Sequence, residues 1–459
     1  TRNALIGETP FKDALSRYQE TRQSAQSSLK RLTQAASVPP IKPNSQVDPE
    51  LGSSPLRRSP KQQLRQLTDQ LDLNLGILWV QSGQPDKALQ AWKNLLTQPP
   101  GEMHAKPMVE TAQVLMGLWS NPPRLLPNAE QQLMSHLNGW FQYRALTQLY
   151  QLQQRGDALA TLQAAEQQQA QNAFIRLSTI SGLSVAGNLV GLGLVITWVV
   201  QQIVRQKQAP SPLSHAEVEA AWPVPWNGEV IWQVLVLWFV AFFGVSLVVV
   251  PLAVQLLGLN PASFTARTQT FLALFTYLGL VIAGLSVLYL CLQPFLPLPR
   301  HWFHVSRQGN WIGWGLGGYL AALPLVTGVS LINQRLLQNQ GGGNPLLEII
   351  LQSRDTLTIS VLFLMVAVFA PFFEETLFRG FLLPSLTRYL PVWGAILTSG
   401  FLFAVAHLNL SDILPLTILG VILGFVYLRS RNLLASMLLH SIWNTGSFLG
   451  LLILSGASG

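Results

Sequence analysis

The sequence predicts an all-α protein in two parts: a soluble helical-repeat domain, then a polytopic membrane domain of about eight transmembrane helices. Composition is the first reason. Of 459 residues, 49% are hydrophobic and 11% charged, against roughly 25% charged in an average soluble domain. Segregation of charge is the second. From Ile231 to the C-terminus there is no lysine, and the acids are Glu348, Asp355, Glu374, Glu375 and Asp412. The third is length: from Ser178 onward, apolar runs of about 18 to 25 residues recur, enough to cross roughly 30 Å of hydrocarbon as helices.

The elements follow in order. Residues 1–60 read as a largely extended segment ending in a Pro/Ser-rich linker over 39–60. Residues 61–175, rich in Gln, Ala and Leu, form the soluble helical domain. Within it, LGILWVQSGQPDKALQAWKNLLTQPP places Leu75, Gly76, Ala88, Trp92 and Pro100 where the tetratricopeptide pattern has its packing residues and closing proline. A second pair of helices from Ala145, turning at Arg155, Gly156 and Asp157, reads as a degenerate copy of this repeat, against the plainer reading of a generic helical hairpin. Stacked helices of this kind form grooves that contact proteins. Residues 178–459 are the membrane domain, with spans near 179–203, 230–257, 270–294, 312–333, 357–384, 391–408, 412–428 and 433–455.

The net charge of +8 does not point to nucleic acid, because positive residues beside membrane spans set orientation in the bilayer. The expected partners are the lipid bilayer and a protein, with no nucleic acid. The single cysteine, Cys291, rules out an internal disulfide and reads as a small buried hydrophobe.

The chemistry lies in PFFEETLFRG, residues 371–380, inside the fifth span. Glu374 precedes the turn at Pro384 by ten residues, about 15 Å along a helix, and ionisable residues at such depth mark functional sites. Glu375 and Arg379 are four apart and can pair on one face. Glu374 points about 100° away, without an equivalent partner. The next spans add FAVAH, with Phe403 and His407 four apart, and HSIWN, with His440 and Asn444 four apart. Tilt can bring both histidines to the level of Glu374.

This series, Glu374-Glu375-x-x-x-Arg379, Phe403-x-x-x-His407 and His440-x-x-x-Asn444, resembles in order and spacing the motifs of the intramembrane CAAX-protease and bacteriocin-processing family. The likeness covers about residues 310–455, and every motif position is present. It implies an intramembrane glutamate-type endopeptidase cleaving a membrane-embedded or lipidated protein. Glu374 and His407 would activate a water, His440 and Asn444 would donate to the developing oxyanion, and Arg379 would hold Glu375 and its helix, with Phe403 supporting the site. The family also includes members regarded as scaffolds or assembly factors, photosynthetic membranes among their settings. The alternative is therefore a non-proteolytic scaffold that docks a partner complex through the repeat domain. Two histidines and a carboxylate can also bind zinc, but the H-E-x-x-H spacing is missing, so the expectation is a site without metal, with zinc as the alternative.

Arg205 and Lys207, Arg300 and Arg307, Arg388, and Arg429 and Arg431 follow spans one, three, five and seven. The positive-inside rule makes those loops cytoplasmic and puts the N-terminal domain on the other side of a plasma or thylakoid-type membrane. A domain of that size crosses only with a signal, so an upstream signal peptide or anchor helix is expected before Thr1. Protease added outside sealed, right-side-out vesicles is expected to cut fragments bearing Trp79 and Trp92 while the Arg429–Arg431 loop stays protected. Protection or cleavage of both together would overturn this orientation.

Overall fold

The structure, a computed structural model, describes residues 10–36, 60–96, 106–208, 222–261, 264–299, 301–337 and 355–455. Among these residues there are helices and turns and no strand. Two compact units divide them, residues 1–172 and 173–459.

The first unit contains α1 (Pro10–Ala36), α2 (Pro60–Gln81), α3 (Pro85–Leu96), α4 (Lys106–Trp119), α5 (Ala129–His136), α6 (Gly139–Leu152) and the start of α7 (Gly156–Gln208). The expectation of a largely extended 1–60 needs correcting over residues 10–36. Their polarity hid a run of strong helix formers, Ala, Leu, Gln and Arg, begun by a proline whose missing N–H is harmless in a first turn. An Arg22–Asp72 ion pair ties α1 to α2, and Tyr18 packs its ring on the edge of Phe141. The Pro/Ser-rich linker over 39–59 and Pro100 lie outside the described residues. The α2–α3 hairpin turns at Gly83, whose φ of 75° favours glycine. At Gly76 a Cβ would enter the indole of Trp92. Trp92 is fully buried with Leu75 and Ala88, and its Nε1 donates to Leu73 O at 3.3 Å.

Each expected span coincides with a helix. These are α7, a single 53-residue helix, then α8 (Gly228–Leu256), α9 (Ala266–Phe295), α10 (Trp311–Leu337), α11 (Thr356–Leu386), α12 (Val392–Ala406), α13 (Ile413–Ser430) and α14 (Leu433–Ser455). Among the described residues six helices are long and apolar enough to cross a membrane: α7, α8, α9, α10, α11, and α13 with the short turn before it. The other two expected spans differ for separate reasons. α12 has 15 residues and rises about 22 Å, short of a full hydrocarbon layer. α14 has 23 residues, but Ser436, His440, Ser441 and Asn444 lower its mean hydropathy.

α11 is not uniform. It widens into π-helical turns at Met365–Phe369 and at Thr376–Leu382, on either side of the glutamate pair. Such turns are rare and gather at functional sites. At its start Asp355 caps the helix, accepting from Thr358 N at 3.2 Å, and takes two bonds from Arg267 of α9 at 2.9 and 2.7 Å. That guanidinium and the Thr358 hydroxyl hold the carboxyl well below the usual carboxylate range. At the other end Trp226 donates to Ser385 Oγ at 3.0 Å, Arg388 donates to Val224 O and Trp226 O at 3.0 and 2.5 Å, and Leu433 N donates to His304 O at 2.9 Å. The loops after the third, fifth and seventh spans thus meet at one end of this unit.

Helices α12 and α13 cross at Gly400 and Gly420. A Cβ on Gly400 would stand 2.9 Å from Val421 N, and one on Gly420 would stand 2.7 Å from Gly400 Cα. Both obstacles are backbone, so no side chain can rotate away. Gly400→Ala is expected to force the helices apart and destabilise the membrane unit by about 1–3 kcal/mol, as overpacking does. Thermal unfolding in detergent measures this, and an unchanged Tm would count against so tight a crossing.

Candidate functional site

The residues singled out from sequence come from α11, α12 and α14, and the fold brings most of them together. Glu375 and Arg379 are both fully buried, and Arg379 Nη1 donates to Glu375 Oε1 at 2.7 Å. The second guanidinium nitrogen donates to Gly420 O at 3.0 Å, at the close crossing of α12 and α13. The face of Phe403 lies beneath the guanidinium, its centroid 4.6 Å from Cζ, an attraction that strengthens when water is excluded. One cation therefore binds three helices.

His440 extends this framework. Its Nδ1 is 2.9 Å from Glu375 Oε1. A carboxylate already accepting from arginine can only accept again, so Nδ1 carries the proton. The other nitrogen, Nε2, is 3.8 Å from Glu374 Oε2, within ion-pair reach but beyond a hydrogen bond. The ring also stands edge-on to Phe403 at 5.7 Å. Glu374 differs from its neighbour in exposure, its side chain 21% exposed against 0% for Glu375, while the Oε2 atoms of both have no hydrogen-bond partner.

His407 directly follows the last residue of α12, at the short helix's end. Its ring lies 4.8 Å from Phe403, and its Nδ1 is 2.8 Å from Phe403 O. A carbonyl only accepts, so here too Nδ1 carries the proton, leaving Nε2 of the neutral ring as a lone-pair acceptor. Glu374 and His407 line a cavity of about 110 Å³ with Tyr277, Trp238, Phe242, Leu280, Phe373, Phe378 and Ala406. That is room for water beside polar groups.

Asn444 sits elsewhere. Its Nδ2 donates to Val366 O at 2.9 Å, and Ser441 Oγ donates to Ala367 O. Both acceptors belong to the first wide turn of α11, where the lost helical register frees carbonyls. The HSIWN motif thus docks α14 on α11 with two of its polar side chains, while His440 joins the ion-pair framework. Among the described residues no group of three or more His, Cys, Asp or Glu is arranged to hold a metal.

Sequence reasoning missed the walls of the cavity contributed by α8 and α9, above all Tyr277. One signal was available: tyrosines favour membrane interfaces, and Tyr277 lies about 16 Å into its helix. Beside the cavity, sharing Trp238, Phe378 and Ala406 with it, runs an apolar groove of about 700 Å³ between α8, α11 and α12.

Residues 356–446 match the family model of the type II CAAX prenyl endopeptidase Rce1-like proteins. The matched segment runs from the start of α11 into α14, and so contains both glutamates, both histidines, Arg379, Phe403 and Asn444. It is narrower than the 310–455 expected from the motifs, leaving α10 outside. Over these residues the chain is similar to a CAAX-type intramembrane protease family, and its helices are those of an integral membrane protein. No curated protein and no solved structure matches the chain.

Glu375→Gln is expected to be structural in effect. Removing the carboxylate leaves Arg379 charged in a fully buried site, and breaking such a pair costs about 3–5 kcal/mol. Reduced yield of folded protein and a lowered Tm are the readouts. A variant as stable as the parent would mean that Gly420 O and Phe403 alone suffice for the guanidinium.

Proposed function

We propose that this protein is a glutamate-type intramembrane endopeptidase that hydrolyses a peptide bond in a membrane-embedded or lipidated protein. The observation carrying this reading is the shared cavity of Glu374 and His407: a carboxylate with an unpartnered oxygen faces the same small space as a histidine whose proton position is fixed. Glu374 is the general base for a water held there, and Nε2 of His407 is a second acceptor that orients it. His440, held by Glu375 through Nδ1, packs within 3.8 Å of Glu374 on its other side. Glu375, Arg379 and Phe403 set the geometry, and Asn444 fixes α14 against the helix bearing the glutamates. The chemistry uses these side chains without a metal.

The adjoining apolar groove supports the substrate class. Its lining of Trp232, Leu235, Phe239, Leu382, Phe401 and Leu402 suits a lipid chain or apolar helix whose peptide portion enters the cavity past Phe378. The N-terminal unit, read as tetratricopeptide-like from Leu75, Gly76, Ala88 and Trp92, recruits the substrate or a partner complex. It does so from the non-cytoplasmic side, as the arginine distribution implies. The scaffold reading retains one supporting observation: Glu375, Arg379, Ser441 and Asn444 all make contacts that hold helices together and need no chemistry to explain them.

Glu374→Gln separates the two. It preserves size and leaves the Glu375–Arg379 pair untouched while removing the base, so Tm and yield stay near the parent's and cleavage is lost. The expected outcome is accumulation of uncleaved precursor in the membrane proteome of a strain carrying only this variant. Full complementation of a deletion with no precursor accumulating would overturn the protease and leave the scaffold.

A further inference from the structure

Tyr277 lies near the middle of α9, outside the segment that matches the family model, and lines the cavity with Glu374 and His407. Its hydroxyl is shielded from solvent and has no hydrogen-bond partner. Buried hydroxyls are normally paired, and one without a partner asks for an explanation. Glu374, whose Oε2 is likewise without a partner, lines the same cavity. The two donors expected from sequence to face a reacting carbonyl are occupied outside it: His440 Nδ1 by Glu375, and Asn444 Nδ2 by Val366 O. Neither residue lines the cavity.

Resting on the protease reading above, we infer that Tyr277 is the hydrogen-bond donor to the carbonyl oxygen of the scissile peptide. Attack forms a bond from the water oxygen to the carbonyl carbon as one water proton passes to Glu374. The π pair moves onto the carbonyl oxygen, where the Tyr277 O–H donates to it without giving up its proton. Collapse restores the C=O bond and breaks the C–N bond. The departing nitrogen takes the proton from Glu374, and the products are an acid and an amine. A neutral donor preset in a site with little water stabilises the developing charge more than the ground-state carbonyl. Its benefit falls on kcat rather than on binding.

The test uses the full chain in proteoliposomes with an internally quenched peptide ending in a farnesylated Cys-aliphatic-aliphatic-X sequence. Wild type is compared with Glu374→Gln, with Tyr277→Phe and with Tyr289→Phe, an exposed tyrosine of the same helix. Tyr277→Phe keeps the ring and breaks no existing hydrogen bond. Its Tm should be unchanged, its KM within about twofold, and its kcat lower by about 10²–10³-fold, the usual effect of losing one oxyanion donor. Tyr289→Phe should match wild type. If Glu374→Gln is inactive while Tyr277→Phe retains wild-type kcat, the inference fails and the protease reading stands. A change confined to KM, or a Tm lowered by more than about 3 °C, assigns the hydroxyl to substrate binding or to packing and also overturns it. If wild type cleaves no better than Glu374→Gln, the protease reading fails and takes this inference with it.

Discussion

The membrane unit depends on one desolvated cation. Arg379 is fully buried, and a guanidinium cannot shed its proton, so the protein must replace most of its water shell, leaving only Nε without a hydrogen-bond partner. It does so from three directions, with a carboxylate four residues back on α11, a backbone carbonyl on α13 and an aromatic face on α12. Each partner imposes a constraint of its own. Gly420 O is reachable because α12 and α13 touch backbone to backbone at Gly400. Phe403 is held because its edges meet His407, His440 and Phe378. The positions of both histidines thus follow from how a charge is kept away from water.

A second constraint is the backbone itself. Lipid cannot hydrogen-bond a peptide group, so any departure from regular helix in a spanning segment needs partners within the protein. The wide turns of α11 are such departures, and the polar residues of the neighbouring helices answer them: Ser441 and Asn444 at the first turn, Ser399 donating to Phe378 O at 3.2 Å at the second. The early end of α12 is another. There Asn409 accepts from Ser411 N at 3.2 Å, and Asn333 of α10 donates to Ser411 O at 2.5 Å. Polar side chains that look like a catalytic roll in the sequence therefore divide into those that repair the backbone and those left facing open space.

That division bounds what the sequence could tell. Helix positions were legible because an apolar run of spanning length has one stable conformation in lipid, and all eight runs coincide with helices. The Glu375–Arg379 pair was legible because i,i+4 spacing fixes a shared face. The helix over residues 10–36 was missed because a polar stretch beside a Pro/Ser-rich linker carries little periodicity, and its packing on α2 decides its state. The role of Asn444 was hidden because the wide turn it caps does not show in the letters MVAVF. Tyr277 was hidden because its partners in the cavity lie about a hundred residues away, on helices whose rotation no local pattern fixes.

The adjacency of the two glutamates is then a consequence of helix geometry. Neighbours on a helix diverge by about 100°, so one carboxylate can be tied to an arginine while the next faces a different space, with no residue between them. Glu375 accepts from Arg379 and His440, which fixes the turn of α11 that bears both groups. Glu374, on that immobilised turn, lines the cavity, and its Oε2 has no hydrogen-bond partner. A lone carboxylate at this depth would have to carry both burdens, holding the helix register and meeting whatever enters the cavity. Rigidity and availability conflict in one group, and two adjacent ones resolve the conflict.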